Sequence, residues 1–481
     1  MKRKYLIDFL FLLGINFLVK PIYIFGIDRV VQNEVGAQDY GMYFALFNFT
    51  LLYQIILDVG ISYYNNKHIS QNNNLLKKYL PNALVAKVIL ANIFGLLLLV
   101  GAYGLSFSAQ QMQLLTYIAA STILISLIQY FRSNIAALQK FKMDGLFSIL
   151  DKLMMILALG YVLFINHNID ISILLFVKIQ LACYGLTALV VGIAVVVLAG
   201  GLQMNFKRHY IIDILKQSFP YALAVFLMTI YSRVDAVMLK QILPDGEFQA
   251  GIYATGYRLL DAANMIGLLL AGMLLPIFAK MIKQKEDVKP LVQTAIKLLL
   301  AFSITVGICC YFFSNHIMDL LYINTTKVYY RVLSVLMFTL ISIVIVHVYG
   351  TLLSANGSLK PIIVIAFFGV VANIVINYLL IPNIKVEGAA IATLITQSMV
   401  AIAIMIAAIQ LFKLPFNFML IAKVLGFAAL LGIATFFLAK SNLPWKISFF
   451  LSLTISVIVA YSLRLLNLNQ LLSLRQTKEL N

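Results

Sequence analysis

Between Gly251 and Lys280 the sequence reads GIYATGYRLLDAANMIGLLLAGMLLPIFAK, an apolar run with one arginine and one aspartate inside it. A spanning helix needs about 20 apolar residues to cross a ~30 Å hydrocarbon core, and this run is long enough. Arg258 falls about two turns inside it, where a charge costs about 2.5–3.5 kcal/mol on insertion scales. Such a residue must face protein or water rather than lipid. The rest of the chain follows the same plan. Of its 481 residues, 62% are hydrophobic and 11% charged, with mean hydropathy +0.96; a soluble domain would carry about 25% charged residues. The fold class is therefore an all-α polytopic membrane protein, with the bilayer taking the place of most of a core.

Hydropathy predicts about fourteen spans, at 5–27, 39–60, 80–103, 112–131, 146–166, 171–199, 212–233, 250–279, 291–313, 328–354, 360–382, 387–411, 418–438 and 444–466. The start, Met1-Lys2-Arg3-Lys4 before an apolar run through Phe25, lacks a small-residue cleavage site and reads as an uncleaved first span. Connections alternate in charge. One side has only Arg29, Lys240, Lys327, Arg331, Lys385, Lys440 and Lys446, while most of the 36 basic residues lie on the other. By the positive-inside rule both termini are cytoplasmic. The net charge of +18 has the same origin, set against anionic lipid rather than nucleic acid.

Several chemistries find no support. Cys183, Cys309 and Cys310 sit in apolar runs and read as packing thiols. The five histidines are scattered, with no metal-binding spacing, and there is no phosphate-binding glycine loop. The longest outer connections, Val234–Ala250 and Ser314–Lys327, leave no room for an outer domain. No cofactor is expected; the energy source is expected to be an Na⁺ or H⁺ gradient, the membrane potential or the substrate gradient.

The chain also repeats itself. Asn16–Gly41 and Ser218–Gly251 each show a span ending near an aspartate (Asp28, Asp235), a short polar loop and then Gly-x-Tyr. Ala137–Phe164 aligns with Ser354–Ile381, placing Tyr161 opposite Tyr378. Six spans per copy keep both copies in one orientation, so a pseudo-twofold axis along the membrane normal is expected, with the substrate path between the lobes. The expected lobes are 1–205 and 206–412, followed by two extra helices and a tail over 413–481.

Tyr40-Gly41-Met42-Tyr43 with Asp58-Val59-Gly60-Ile61 resembles the second helix of the polysaccharide flippases, of the multidrug/oligosaccharidyl-lipid/polysaccharide superfamily. Ser218-Phe219-Pro220, Val234–Leu239, Gly251-Ile252-Tyr253 and Leu275-Pro276 resemble its seventh and eighth helices. Leu353–Gly357, Asn373, Asn377-Tyr378, Ile381-Pro382 and Glu387–Thr393 are similar to a later signature. The resemblance spans essentially the whole chain. It implies two six-helix lobes plus two helices, and transport of an undecaprenyl-diphosphate-linked oligosaccharide across a bacterial inner membrane. Polysaccharide polymerases and glycosyltransferases are the partners it suggests.

A diphosphate lipid needs cations in a wet cavity to replace its hydration. Arg258, Lys20 and Lys178 are the candidates. Lys20 precedes Pro21, which can bend the first helix; its alternative is snorkelling to the outer surface. For Arg258 the alternative is neutralisation by Asp261, three residues on. Lys152 and Lys87 are expected to snorkel to the cytoplasmic side, and Arg233 to lie at the interface beside Asp235. Asp261, Asp151 and Asp58, with Asp8, are candidate coupling acids, or members of structural ion pairs and caps. Asn356, Asn373 and Asn377 could touch sugars but suit hydrogen bonds between helices better, and Gly388-Ala389-Ala390 suits close packing.

The leading expectation is a flippase for lipid-linked repeat units of O-antigen, capsule or exopolysaccharide. Alternatives are a flippase for lipid II or a teichuronic-acid-type polymer, a multidrug antiporter of the same fold, a major-facilitator transporter, and a membrane polymerase or glycosyltransferase. The antiporter needs unpaired acids for cationic drugs, whereas this chain has more intramembrane cations. A major-facilitator carrier needs a Gly- and Arg-rich second loop, which Ser62–Tyr79 is not. An enzyme needs acid or base groups on sizeable outer loops. No enzymatic activity is expected.

Overall fold

The computed structural model describes residues 14–166, 170–201, 208–415 and 418–465. Asp8, the basic residues Lys2, Arg3 and Lys4, and the tail residues Arg475 and Lys478 lie outside the described residues, as do the ends of the first and last predicted spans.

The described chain is helical, and twelve of its stretches are long and apolar enough to cross a membrane. Two are double. Gly14–Leu57 has 44 residues and Leu359–Phe412 has 54, which at 1.5 Å per residue is about 66 and 81 Å, more than twice the ~30 Å apolar core. Each is broken inside. Gly36 (φ 79°, ψ 169°) interrupts the first, so we number its parts α1 (14–35) and α2 (37–57). Ile384 and Lys385 interrupt the second, giving α13 (359–383) and α14 (386–412). Between them come α3 (Ile61–Gln71), α4 (Leu75–Gly104), α5 (Ala109–Ala137), α6 (Phe141–Phe164), α7 (Ile173–Leu198), α8 (Arg208–Ile242), α9 (Gly246–Lys283), α10 (Lys289–Phe312), α11 (Ser314–Leu321) and α12 (Lys327–Ala355). Two last helices follow, α15 (Phe418–Lys440) and α16 (Trp445–Ser462). With α3 and α11 too short to cross, fourteen membrane-length segments remain among the described residues, in line with the hydropathy reading.

The helices overrun their apolar stretches. The polar loop expected after Asp28 is instead helix up to Gly36, because Arg29, Val31, Gln32 and Glu34 have ordinary helical tendencies and only glycine adopts a left-handed φ at little cost. The turn is real: in a straight helix residues 28 and 40 would stand about 18 Å apart, yet the Tyr40 hydroxyl donates to Asp28 Oδ2 at 2.8 Å. The 234–250 connection likewise shrinks to three residues between α8 and α9, and 314–327 contains α11. Ser62–Tyr79 is not a loop; most of it is α3 and the first turn of α4. Hydropathy locates the bilayer, whereas helix ends follow Gly, Pro and caps, so the two need not coincide.

The chain forms two compact units, Met1–Gly251 and Ile252–Asn481. In the first, α5 packs on α7 and on α3, α6 on α7, and the stretch Arg29–Tyr53, which spans the α1–α2 break, on α8. One end of this unit is sealed by Ile61, Leu76, Leu80, Tyr130, Ile135, Val191 and Val195 from α3, α4, α5 and α7. In the second, α12 packs along α13–α14 and on α10, while α15 and α16 pair with each other and cover α10. That seam is made by Ile304, Ile308, Phe427, Leu431 and Ala460. Large apolar side chains such as Val88, Leu96, Val100, Phe437 and Ile458 are exposed, as lipid-facing positions should be.

Within the first unit, α2 and the start of α9 touch backbone to backbone. A Cβ added at Gly41 would lie 1.8 Å from the Glu247 carbonyl oxygen, and one at Gly251 would lie 1.8 Å from that of Ala37. These are the two glycines of the repeated Gly-x-Tyr motif, each facing the residue four positions before the other.

Candidate substrate site

One polar region of the first unit is built from α1, α2, α5, α6 and α7. Pro21 has no N–H to donate to the preceding turn, and a π-helical stretch follows at Ile22–Asp28. Wide turns of this kind are rare and often mark functional sites. The stretch buries Tyr23 and Asp28. The Tyr23 hydroxyl accepts from Gln180 Nε2 at 3.3 Å, and Gln180 Oε1 accepts from the Tyr43 hydroxyl at 3.3 Å.

Lys152 on α6 points into this group. Its ammonium lies 3.1 Å from the Tyr184 hydroxyl and 3.3 Å from Asp151 Oδ2. It also stands 4.7 Å from the centre of the Tyr23 ring and 5.2 Å from that of Tyr184. Ring faces are negative, and partly desolvated cation–π contacts are worth about 0.5–2 kcal/mol. Lys152 therefore does not snorkel, contrary to the sequence expectation: an internal carboxylate and two tyrosines replace the water it would otherwise seek. At the end of the cluster Arg132 Nε meets Asp144 Oδ1 at 2.8 Å. Lys20 is half-buried and within electrostatic range of Arg132, Asp151 and Lys152. Lys20, Arg132 and Lys152 thus share the region with Asp144, Asp151 and the buried Asp28, which accepts from the Tyr40 hydroxyl. Among the described residues Lys20 makes no hydrogen bond or ion pair.

Other expected residues go elsewhere. Lys87 is another correction, for its side chain is only 2% exposed and its ammonium is saturated by Asp58 Oδ1 (2.8 Å), the Leu57 carbonyl (3.0 Å) and Ser126 Oγ (3.0 Å). Asp58 also accepts from the Ser62 amide and hydroxyl, so it is both ion-pair partner and cap of α3. Lys178 is exposed on α7, its ammonium 5.7 Å from the Tyr117 ring. It is two residues, about 200°, around the helix from Gln180, which explains why it misses the cluster.

In the second unit, Arg258 and Asp261 are half-buried on α9, each with interactions of its own. One turn on, Asn264 Oδ1 lies 2.8 Å from His347 Nε2 of α12. Tyr253 Oη and Thr393 Oγ1 are 2.9 Å apart. Asn377 Nδ2 donates to the carbonyl and side-chain oxygen of Asn373 on its own helix, and Asn356 donates to Ser358. A Cβ on Gly388 would meet the Leu380 carbonyl at 2.7 Å, so this glycine allows α14 to press against α13.

Sequence reasoning missed Arg132, Tyr23, Tyr184 and Gln180. Gln180 alone left a trace, as an amide two residues from Lys178 inside a mostly apolar span. Arg29, assigned to an outer connection, lies in α1 with its Nε enclosed and without a hydrogen-bond acceptor among the described residues.

A bundle of membrane-length helices with charged and aromatic groups packed between them is a multi-pass membrane fold. Solved structures share it. The lipid II flippase MurJ in an inward closed conformation superposes with TM-score 0.73 at 14% identity, over 94% of this chain and 97% of that one. An inward-facing multidrug resistance MATE family transporter gives 0.66 at 15%, over 84% and 98%. A superfamily transporter from Pyrococcus furiosus, described by a reverse polarity of its binding pocket, gives 0.61 at 15%, over 85% and 94%. No curated protein matches by sequence. The family described as "Polysaccharide biosynthesis protein" matches residues 8–282, more than half of the chain, and the MatE family matches 220–379. The chain belongs to the polysaccharide biosynthesis protein family.

Proposed function

We propose that this protein is a flippase that moves an undecaprenyl-diphosphate-linked oligosaccharide from the cytoplasmic to the outer leaflet of a bacterial inner membrane. It works by alternating access between lobes 1–205 and 206–412, with both termini in the cytoplasm, and feeds O-antigen, capsule or exopolysaccharide synthesis. The observation that carries this reading is the half-buried ammonium of Lys20, without a hydrogen-bonding partner among the described residues and beside Arg132 and Lys152. A cation so placed is ready for an anion. The neighbouring carboxylates are committed to Arg132 and Lys152, which disfavours a cationic cargo. Family membership and the likeness to a lipid II flippase support the same class of cargo.

Lys20 supplies the first contact to the diphosphate, Arg132 the planar two-point donor, and the Tyr23 and Tyr184 rings hold Lys152 in place. In the second unit, Arg258 on α9 is a separate candidate cation. A second reading, a multidrug antiporter, draws on the MatE match over 220–379, and lipid II is the alternative lipid cargo.

The test uses liposomes containing the purified protein and an undecaprenyl-diphosphate oligosaccharide labelled on its sugar. Label should reach the opposite leaflet faster than in protein-free liposomes, and Lys20→Ala and Arg258→Ala should slow it. Wild-type rates equal to protein-free controls under imposed Na⁺ and H⁺ gradients would overturn the reading, and lipid II and cationic drugs would then be tried.

A further inference from the structure

At the end of the first unit that carries the α1–α2, α4–α5 and α8–α9 turns lies a cavity of about 570 Å³, well away from the cation cluster in sequence and lined by different residues. Cavities of about 300–1,000 Å³ are typical of small-molecule sites. Its wall is polar but poor in cations. Gln38, Gln111 and Gln241 offer amides, each both donor and acceptor, and Glu247 offers a carboxylate. Phe248 also lines the cavity and is 44% exposed.

The lining is set in advance. Gln111 closes a capping box with Ser108 at the start of α5, which fixes its side chain. The same amide donates to Glu247 Oε1 at 2.7 Å. From the other side, Gln241 Nε2 donates to the Leu105 carbonyl at 3.2 Å. The ammonium of Lys240 sits 3.7 Å from the centre of the Phe107 ring. Each carboxylate oxygen pair has about four acceptor sites, so Glu247 keeps capacity beyond its one bond to Gln111.

We propose that this cavity binds sugar: it takes one or two neutral, hydroxyl-bearing residues of an oligosaccharide. Vicinal hydroxyls are paired donors and acceptors, which amides and carboxylates match two at a time. The C–H face of a pyranose is apolar and lies flat on an exposed ring such as Phe248. Two carboxylates, Asp245 and Glu247, against one lysine give the wall a negative balance, so a diphosphate is repelled while its glycan is not. The cavity and the cation cluster thus sort the two halves of a lipid-linked glycan. The role as a docking point for transported glycan rests on the flippase reading, whereas sugar binding does not.

The test is saturation-transfer NMR on the full chain in nanodiscs, with chitobiose and maltotriose as probes, neither carrying lipid or phosphate. Wild type should transfer magnetisation to the sugars. Phe248→Ala or Glu247→Gln, with melting temperature unchanged, should raise the Kd read from a sugar titration of the signal about tenfold, and Lys20→Ala should leave it intact. A wild type without signal, or a signal unchanged in both cavity variants, overturns the proposal. Transport in the liposome assay is scored separately: sugar binding without transport sinks the flippase reading and leaves the cavity standing.

Discussion

Gly41 and Gly251 meet where α2 crosses the beginning of α9, each leaving space that the other's helix backbone fills. Membrane helices gain little from burying apolar groups in an apolar solvent, so close backbone approach at small residues is a main source of attraction. Here the contact is also reciprocal, because each glycine faces the carbonyl of the residue four positions before the other.

The crossing predicts that Gly41→Ala and Gly251→Ala both fail to be accommodated. A methyl group 1.8 Å from a backbone carbonyl oxygen forces the helices apart, at a cost of about 1–3 kcal/mol or more. Gly95 on α4, where an added methyl would have nothing within 4 Å, is the control: alanine there should be neutral or stabilising by about 0.5–1 kcal/mol. Melting temperatures of the detergent-purified variants decide it.

Lys87 and Asp58 give a second prediction. Removing one partner of a buried pair leaves an uncompensated charge, at about 3–5 kcal/mol. Asp58→Asn should therefore destabilise strongly, and Lys87→Met combined with Asp58→Asn should recover much of the loss. A double variant that melts no higher than Asp58→Asn alone would show that the loss does not come from the uncompensated Lys87 charge.

These cases show what is legible in the sequence. The number of spans can be read because the bilayer demands about 20 apolar residues per crossing. The Gly-x-Tyr repeat is visible, but not that its two copies touch, since contact across such a separation leaves no local signature. Lys87 reads as a snorkelling lysine because its partner is 29 positions away. Lys152 misleads for a similar reason: Tyr23 and Tyr184 come from two other helices. Lys20 stands out because Pro21 follows it, and that proline does precede the π-helical stretch that buries Tyr23.

The α11–α12 turn supplies a pH prediction. Hydrogen bonds from Thr325 and then Tyr330 hold the Asp319 carboxyl below its usual pKa. A depressed folded value means the carboxylate adds stability that is fully present above the unfolded value of about 3.9 and is lost as pH falls through the folded value. Thr325→Val should lower the melting temperature slightly at pH 6, and the gap to wild type should close in acid below the folded value. A gap that stays constant with pH would show that Thr325 acts by packing alone.

Within the cation cluster, Lys20 and Lys152 should separate function from stability. Lys20 has no hydrogen bond to lose among the described residues, so Lys20→Ala should leave the melting temperature nearly unchanged while slowing transport of a lipid-linked glycan, and Lys20→Arg should restore it. Lys152 is held by Asp151, Tyr184 and the Tyr23 ring. Lys152→Ala should therefore cost about 1–3 kcal/mol through the polar groups left unpaired, with transport falling alongside. Raised ionic strength should slow wild type more than Lys20→Ala, since screening weakens only a charge that is still there. Equal salt dependence in the two proteins would mean that Lys20 does not meet the anionic headgroup, and the diphosphate contact would have to be sought at Arg132 or Arg258.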